Sequence, residues 1–403
     1  MIRIGKPYIE TKNKKAKCKC DLFFNNNKKT LWFEVDEKYS KYLCIERGDA
    51  YLIGILHYAM EKNEDILVDI PITEDLLYNI RNILVPSLSK YAKSLNNIKI
   101  TAKTAKPLML GSSIGTGCSC GVDSFSAIYN HINSEYPGLD LTHLCINNVG
   151  AFNESYSKYG VEKVKKERYE KTDEVAQYLN LDLIKTDSNY QEVIKENHYR
   201  THTYSSVFAI YILQKLWKVY YYASSGYDYS HFNLIDNDKH ASGYYELLSL
   251  QCFSIPGLKI YSEGGEKTRL DKTSEIAEFN AAQKYLHVCL NKSTNCNICS
   301  KCKRTLVTLD LLNKLDNFKE VFDIEYYKKN RLMYYKWLYK QHLKNDSMIE
   351  PVYQLLKLSK NEIKRELLLY KPFIFTKVKS YDLMKKVLPN SIKTKIKKWK
   401  QQF

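Results

Sequence analysis

Six consecutive residues, Ser119 to Ser124, combine hydroxyl groups, a glycine and a carboxylate at a spacing that suits phosphate binding. They read Ser-Cys-Gly-Val-Asp-Ser, follow the small-residue run 111–117, and precede apolar residues at helical spacing. The pattern predicts a strand, a tight loop and a helix, which would direct backbone N–H groups and the positive end of the helix dipole at one anion. Ser119 and Ser124 can add hydroxyl donors, and Asp123 can hold a magnesium ion or the loop itself.

Four cysteines near residue 300 have the spacing C-x6-C-x2-C-x2-C: Cys289, Cys296, Cys299 and Cys302. Two overlapping C-x2-C turns bring three thiolates around one point and Cys289 adds a fourth, which is the tetrahedral ligand set of a structural Zn²⁺. Flanking cations offset the negative charge of such a site: Lys292, Lys301, Lys303 and Arg304. An iron–sulfur cluster is the alternative, but the Cys-Pro that continues the bacterial ferredoxin pattern is absent.

A third segment, residues 264–276, places a turn before a helix whose first residues are cationic and hydroxylated. Arg269 and Lys272 lie three residues apart, hence on one helix face, and can reach the same phosphate group. A solvated helix start is the other interpretation of this pair.

These motifs lie in a region, residues 106–312, where apolar runs alternate between strand and helix patterns. We predict strands over 107–110, 141–149, 181–186 and 219–224, and helices over 124–134, 163–180 and 197–218. The alternation predicts an α/β fold with a parallel sheet and helices on both faces, so the loops after the strands should converge on a ligand. We expect residues 1–105 to form an N-terminal α+β region and residues 313–403 a basic helical region.

Composition limits the classes of protein that need to be considered. The 403 residues can bury a large core, and 44% hydrophobic with 27% charged residues is ordinary for a globular protein. The apolar stretches are too short to span a bilayer, and the N-terminal residues lack a signal-peptide pattern. With these features, eleven cysteines indicate reduced thiols or metal ligands rather than disulfides, and the expected localisation is the cytoplasm.

The net charge of +17 is concentrated late in the chain, where residues 311–403 hold 22 Lys and Arg against 9 Asp and Glu. Near the end, lysines alternate with apolar residues at mostly helical spacing: Leu383, Val387, Leu388, Ile392, Ile396, Trp399 and Phe403. Such a helix is typical of a protein lying peripherally on an anionic membrane surface. RNA is a rival partner, and a solvated terminal helix is the third interpretation.

The order Ser-x-Gly-x-Asp-Ser resembles the PP-loop of the ATP pyrophosphatases, Ser-Gly-Gly-x-Asp-Ser, which cleave ATP between its α and β phosphates. No Gly-Lys-Ser/Thr follows, so a Walker A loop is disfavoured. Cys120 stands where the family has its first glycine, and its Cβ would narrow the room for pyrophosphate or require a different backbone conformation. With the later Arg/Lys helix start and the cysteine cluster, residues 107–310 resemble 7-cyano-7-deazaguanine synthase and its relatives. The rest of the chain lies outside the likeness, which favours a divergent relative with another substrate.

The resemblance implies a ligase that activates a carboxylate with ATP as an acyl-adenylate, releases pyrophosphate, and forms an amide or nitrile with ammonia or an amine. It implies that the pyrophosphate end of ATP, with Mg²⁺, is bound by the loop residues Ser119, Gly121, Val122, Asp123 and Ser124. Lys272 with Arg269 would then stabilise the α-phosphate and the departing pyrophosphate, and the four cysteines would bind Zn²⁺ outside the chemistry. Two alternatives stay open: a tRNA-modifying PP-loop enzyme that thiolates or adenylates, and a nucleotide-binding relative without catalysis, motivated by Cys120.

Two further segments are candidates for contacts with the substrate. His198 and His202 lie four residues apart on one predicted helix face, with Arg200 between them. A substrate-binding role, a second metal site and an exposed helix start are the interpretations. The loop 226–231 follows the fourth predicted strand and either reaches the ligand-binding edge or is an ordinary loop.

Overall fold

The computed structural model describes residues 1–25, 27–154, 160–224, 228–235, 241–289 and 292–358. The strands are β1 (Ile2–Ile4), β2 (Tyr8–Lys12), β3 (Lys15–Phe24), β4 (Asn27–Asp36), β5 (Ile66–Val68), β6 (Ile72–Thr73), β7 (Ile100–Thr101), β8 (Thr104–Ala105), β9 (Ser113–Gly117), β10 (His143–Asn147), β11 (Asp182–Ser188), β12 (Trp217–Ala223) and β13 (Lys259–Glu263). The helices are α1 (Asp49–Lys62), α2 (Glu74–Asn79), α3 (Val85–Tyr91), α4 (Val122–His131), α5 (Ala151–Glu154), α6 (Val161–Leu179), α7 (Tyr190–Ile194), α8 (His198–Ile212), α9 (Glu246–Phe253), α10 (Arg269–Ile276), α11 (Asn280–Tyr285), α12 (Ser300–Leu311), α13 (Ile324–Lys329), α14 (Arg331–His342) and α15 (Glu350–Leu358).

The parallel half of the central sheet carries the predicted loop. Its strands run in the order β13-β12-β9-β10-β11, and all four pairings are parallel. Counted along the chain, this is the order 5-4-1-2-3 of a doubly wound α/β sheet, whose ligands bind where the order reverses, between the first and fourth strands. The α/β class with a parallel sheet and helices is therefore confirmed, and the loop after β9 lies beside that reversal point.

The sheet continues into the N-terminal region as a mixed half. β11 pairs antiparallel with β4, and β3, β1, β5 and β7 follow in that order, with β2 on β3. Buried and partly buried residues alternate along β3, because one of its faces covers a core. Helix α1 packs against α8 in this core, where a Cβ on Gly54 would come within 3.2 Å of the Phe208 ring. Residues 1–105 thus share a sheet and a hydrophobic core with the half that carries the loop.

The strand predicted at residues 107–110 is wrong. Those residues are irregular, with Met109 and Leu110 71% and 60% exposed, and the strand that enters the loop is β9. The small residues of β9 are required by packing, because a Cβ on Gly115 would approach the Trp217 ring to 2.6 Å. A glycine-rich run is usually a loop, but it also occurs where another group lies close over a strand. The other predicted strands and helices of this region are present with shifted ends.

Helices α12 to α15 share a hydrophobic core with strands of the parallel half, and one carboxylate ties α12, α13 and α14 together. Asp310 on α12 is 9% exposed and accepts hydrogen bonds of 2.8 Å from the hydroxyls of Tyr327 and Tyr335. Arg331 donates to both of its oxygens, at 2.6 and 2.7 Å. These bonds fix α13 and α14 on α12. Residues 359–403, with the basic terminal segment, lie outside the described residues, so the membrane and RNA hypotheses stay predictions.

Candidate functional site

The loop between β9 and α4 has the predicted strand–turn–helix form. It starts after Gly117, and α4 begins at Val122 with Gly121 as its N-cap. The Ser124 hydroxyl donates to the Gly121 carbonyl at 3.1 Å, and the Ser119 and Ser124 hydroxyl oxygens are 3.4 Å apart. The first turn of α4 and both hydroxyls therefore surround one point, as the sequence predicts for an anion site.

Cys120 adopts the left-handed conformation, with φ of 58°, and its side chain is buried in the core behind the loop. Its carbonyl accepts a 2.8 Å hydrogen bond from the backbone N–H of His287. Of the two outcomes expected for a side chain at this position, the structure has the altered backbone conformation. The thiol does not line the cavities that open beside the loop.

The two cations predicted on a helix start meet the loop at Asp123. Arg269 Nη2 lies 2.8 Å from Asp123 Oδ2, and Lys272 Nζ lies 3.4 Å from Oδ1. Helix α10 begins with a capping box between Thr268 and Asp271, which sets the direction of both side chains. The spacing of three residues thus puts both cations on one helix face, as predicted, and the fold brings that face to Asp123.

Lys272 is almost fully buried, at 1% exposure, and its ammonium group also donates to the Ser224 carbonyl at 3.3 Å. Gly264 makes room for it, because a Cβ there would lie 2.9 Å from Lys272 Cε. Burial by itself raises the pKa of Asp123, but the nearby cations outweigh burial and hold this pKa below its ordinary value: Arg269, Lys272, Lys301 and Arg304. Asp123 is therefore an anion at neutral pH.

Two cavities meet at this carboxylate. The first, of about 270 Å³, opens at the carboxyl ends of β9, β10 and β12 and includes Asn147, Phe152 and Tyr222 in its walls; we call it the sheet-edge cavity. The second, of about 250 Å³, lies over the loop; we call it the cationic cavity. Ser119 and Asp123 line both, so the two form one cleft at the reversal point of the sheet.

The cationic cavity has a large surplus of positive charge. Four cations line it against the one carboxylate found among its described lining residues: Arg168, Arg269, Lys301 and Arg304. Arg269 Nε is buried there and has no hydrogen-bond partner among the described residues. A cavity of this kind suits a polyanion, because anionic oxygens both neutralise the cations and accept from an unpaired buried donor.

Sequence reasoning missed Arg168 as a site residue and assigned Lys301 and Arg304 only to offsetting charge at the cysteines. Arg168 lies on α6, and its Nη1 is 3.4 Å from the Ser119 carbonyl. Several other cations on α6 give the same sequence signal, so only the fold distinguishes Arg168. For Lys301 and Arg304 the signal was their spacing of three residues directly beside the cysteines.

The four cysteines converge as predicted. The Sγ atoms of Cys289, Cys296, Cys299 and Cys302 lie within 4.8 Å of one another, and no other group of this kind occurs in the part of the chain that the structure describes. The backbone N–H of Cys299 donates to Cys296 Sγ at 3.4 Å, and α12 starts at the next residue. Asn295 holds the approach to the cluster, since it bonds the Val288 N–H and the Leu286 carbonyl at 2.9 and 2.8 Å. Four sulfur donors at this separation can hold a metal such as zinc.

The histidine pair is half-buried beside the sheet-edge cavity. The His198 and His202 rings are 6.2 Å apart, and His202 Nδ1 lies 3.0 Å from the hydroxyl of Tyr222, a wall residue. Burial lowers the pKa of His198 to about 4 and, together with His198, that of His202 to about 3, so both rings are neutral at pH 7. Arg200 turns away to Glu61, at 2.7 Å. Within the described ranges, neither histidine belongs to a metal-ligating group of three.

The loop predicted over residues 226–231 is described only from residue 228. Its Tyr229 ring packs on Gly265, where a Cβ would come within 2.0 Å of the ring. Residues 226 and 227 lie outside the described residues.

Comparison with known proteins does not place the chain in a family: no family model, curated protein or solved structure matches it. None of the helices in the described ranges is both long and apolar enough to cross a membrane. The function of the chain is therefore inferred from the geometry of the cleft.

Proposed function

We propose that the protein is an ATP-dependent, AMP-forming carbon–nitrogen ligase of the PP-loop type that adenylates a carboxylate. The observation that carries the proposal is the cationic cavity over the loop, which lies at the reversal point of a doubly wound sheet. Cleavage between the α and β phosphates needs this arrangement, because the departing pyrophosphate gains negative charge as the bond breaks.

The residues divide by position in the cleft. The pyrophosphate end of ATP would lie on the first turn of α4, with the Ser119 and Ser124 hydroxyls as donors. When ATP binds, Lys272 and Arg269 would leave Asp123 and bind phosphate oxygens on opposite sides of the bond that breaks. The sheet-edge cavity next to them supplies aromatic and amide walls for the adenosine and the acid.

The proposed reaction has two steps. A carboxylate oxygen of the acid attacks the α-phosphorus, the bond to the β-phosphate oxygen breaks, and pyrophosphate leaves with that electron pair. Ammonia or an amine then attacks the acyl carbon, AMP departs, and the nitrogen gives up a proton. The cations assist the first step because two anions, the acid and ATP, must approach each other.

The donor atoms present fit both metals of the proposal. Asp123 is one ionised carboxylate beside the phosphate site, which matches the habit of Mg²⁺ of binding one or two carboxylates together with substrate phosphates. The four thiols fit a closed tetrahedral Zn²⁺ site with no position left for substrate. Mg²⁺ would neutralise phosphate charge, whereas Zn²⁺ would stay outside the reaction.

The test is acid-dependent exchange of labelled pyrophosphate into ATP across a panel of carboxylic acids, with AMP and ADP separated in the presence of ammonium. We expect AMP and pyrophosphate, and a loss of kcat/KM of about 10²–10³-fold for Lys272→Met. Lys314→Met is the matched control, because Lys314 pairs with Glu278 away from the cleft. ADP as the sole product, or no exchange with any acid by a protein that binds ATP, would contradict the proposal.

A further inference from the structure

The four-cysteine group is joined to the cationic cavity through helix α12. Cys299 is the N-cap of this helix and Cys302 lies in its first turn. Lys301 and Arg304 share one face of the same turn and line the cavity. Two of the four cysteines therefore lie on the same helix turn as two of the four cations that line the cavity.

A second connection runs from Cys289 to the phosphate loop. Cys289 itself lines the cationic cavity, and two residues earlier the N–H of His287 donates to the Cys120 carbonyl at 2.8 Å. The backbone on both sides of His287 is bonded to Asn295, the residue directly before Cys296. Movement of the cysteine cluster would therefore move the loop where Cys120 holds its left-handed conformation.

Charge gives the cluster a further effect on the cavity. Four neutral thiols carry no charge, whereas four thiolates around one divalent cation carry a net charge of −2. The cations at the cavity repel one another, and a negative centre beside them lowers the cost of holding them together. Metal binding at the cysteines thus favours the arrangement of cations that a polyphosphate needs.

We propose that a metal ion held by the four cysteines organises the cationic cavity for polyphosphate, with Lys301 and Arg304 as its positioned phosphate-binding cations. This inference rests on the proposed function and assigns the metal a role in substrate binding as well as in folding. Loss of the metal would then weaken pyrophosphate binding before it unfolds the protein.

The test measures the affinity of the full chain for inorganic pyrophosphate by calorimetry, alongside bound metal and circular dichroism. Lys301→Met and Arg304→Met should each weaken binding about tenfold with metal content unchanged. Lys303→Met is the matched control, since Lys303 lies on the same turn and lines a different cavity. Removal of the metal by a chelator should weaken binding at least tenfold, and Zn²⁺ should restore it.

Cys296→His provides a conservative variant, because a histidine nitrogen can replace one thiolate in a zinc site. It should keep metal and pyrophosphate affinity, whereas Cys296→Ser should lose both. A folded, metal-free protein whose affinity for pyrophosphate is unchanged would overturn the inference. If the metal-free protein unfolds instead, equal pyrophosphate affinities of the Arg304→Met and Lys303→Met variants would overturn it. Failure of the proposed function is distinguishable, because the metal-loaded wild-type protein would then bind no pyrophosphate at all.

Discussion

Replacing Asp123 with Asn tests whether the cavity beside the loop is an anion site. This carboxylate is the counterion of Arg269 and Lys272, at 2.8 and 3.4 Å. Its side chain is 24% exposed, so solvent screens the pairs only in part. The substitution keeps the shape of the side chain and leaves the surrounding cations without their negative partner.

The expected magnitude lies between two limits. An exposed ion pair contributes about 0.2–1 kcal/mol, and loss of one partner from a buried pair costs about 3–5 kcal/mol. For a carboxylate with about a quarter of its surface exposed, we expect Asp123→Asn to cost about 2 kcal/mol at pH 7, seen as a Tm lower by several degrees. Because the folded-state pKa of Asp123 is lowered, this contribution is present above about pH 4 and is lost as the pH falls through the folded-state value.

Pyrophosphate binding should change in the opposite direction. Without Mg²⁺, the Asn variant should bind pyrophosphate about tenfold more tightly, since the cations no longer have to leave a carboxylate. Calorimetry measures the affinity, and thermal melts from pH 3 to 8 measure the stability. Asp316→Asn is the control, because that side chain is 78% exposed. Unchanged or weaker pyrophosphate binding, with a stability difference that does not depend on pH, would refute the account of the cavity as an anion site.

Three further predictions concern stability and the room around the buried lysine. Asp310→Asn should cost about 2–3 kcal/mol in a denaturant melt, because it leaves two buried tyrosine hydroxyls and the Arg331 guanidinium, whose side chain is 39% exposed, poorly paired, whereas Asp316→Asn should change little. Between pH 4 and 6, the free energy of unfolding should fall on acidification by about 1.4 kcal/mol per pH unit less in His202→Asn than in the wild type. The reason is that the His202 ring of the unfolded chain takes up its proton at a higher pH than the ring of the folded protein. Gly264→Ala should lower ATP–pyrophosphate exchange more than tenfold and cost about 1–2 kcal/mol, since φ is +72° there and the new Cβ meets Lys272; Gly138→Ala, with open space at Cβ, should alter neither.

Local spacing predicted the parts of the site that depend on one turn of chain. The loop over Ser119–Ser124, the shared face of Arg269 and Lys272, and the cysteine cluster all follow from contacts between residues fewer than about fifteen apart. The segments come close together because strands and helices alternate along the chain, and this alternation is also visible in the sequence. Fold class and motif residues were therefore accessible without coordinates.

Long-range packing was not accessible in this way. The antiparallel pairing of β11 with β4 joins segments about 150 residues apart, and no local pattern marks it. The run around Gly115 looks like a loop in the sequence. The Trp217 ring, which leaves no room for a side chain at Gly115, lies a hundred residues later in the chain. Arg168 enters the cavity for the same reason, since α6 offers several cations and only the fold selects one.

Cys120 occupies a position of the loop that favours glycine, and the structure shows what makes its side chain compatible with that position. The left-handed conformation costs about 1–2 kcal/mol for a residue with a Cβ. Burial of the thiol in the core behind the loop and the hydrogen bond from His287 act against that cost, and the thiol lines neither cavity beside the loop. The concave face of the loop is then lined by Ser119 and Gly121, as a phosphate site needs. Because His287 belongs to the segment that leads to Cys289, one hydrogen-bonded stretch of backbone connects the loop to the cysteine cluster, and this connection is the one on which the proposed effect of the metal depends.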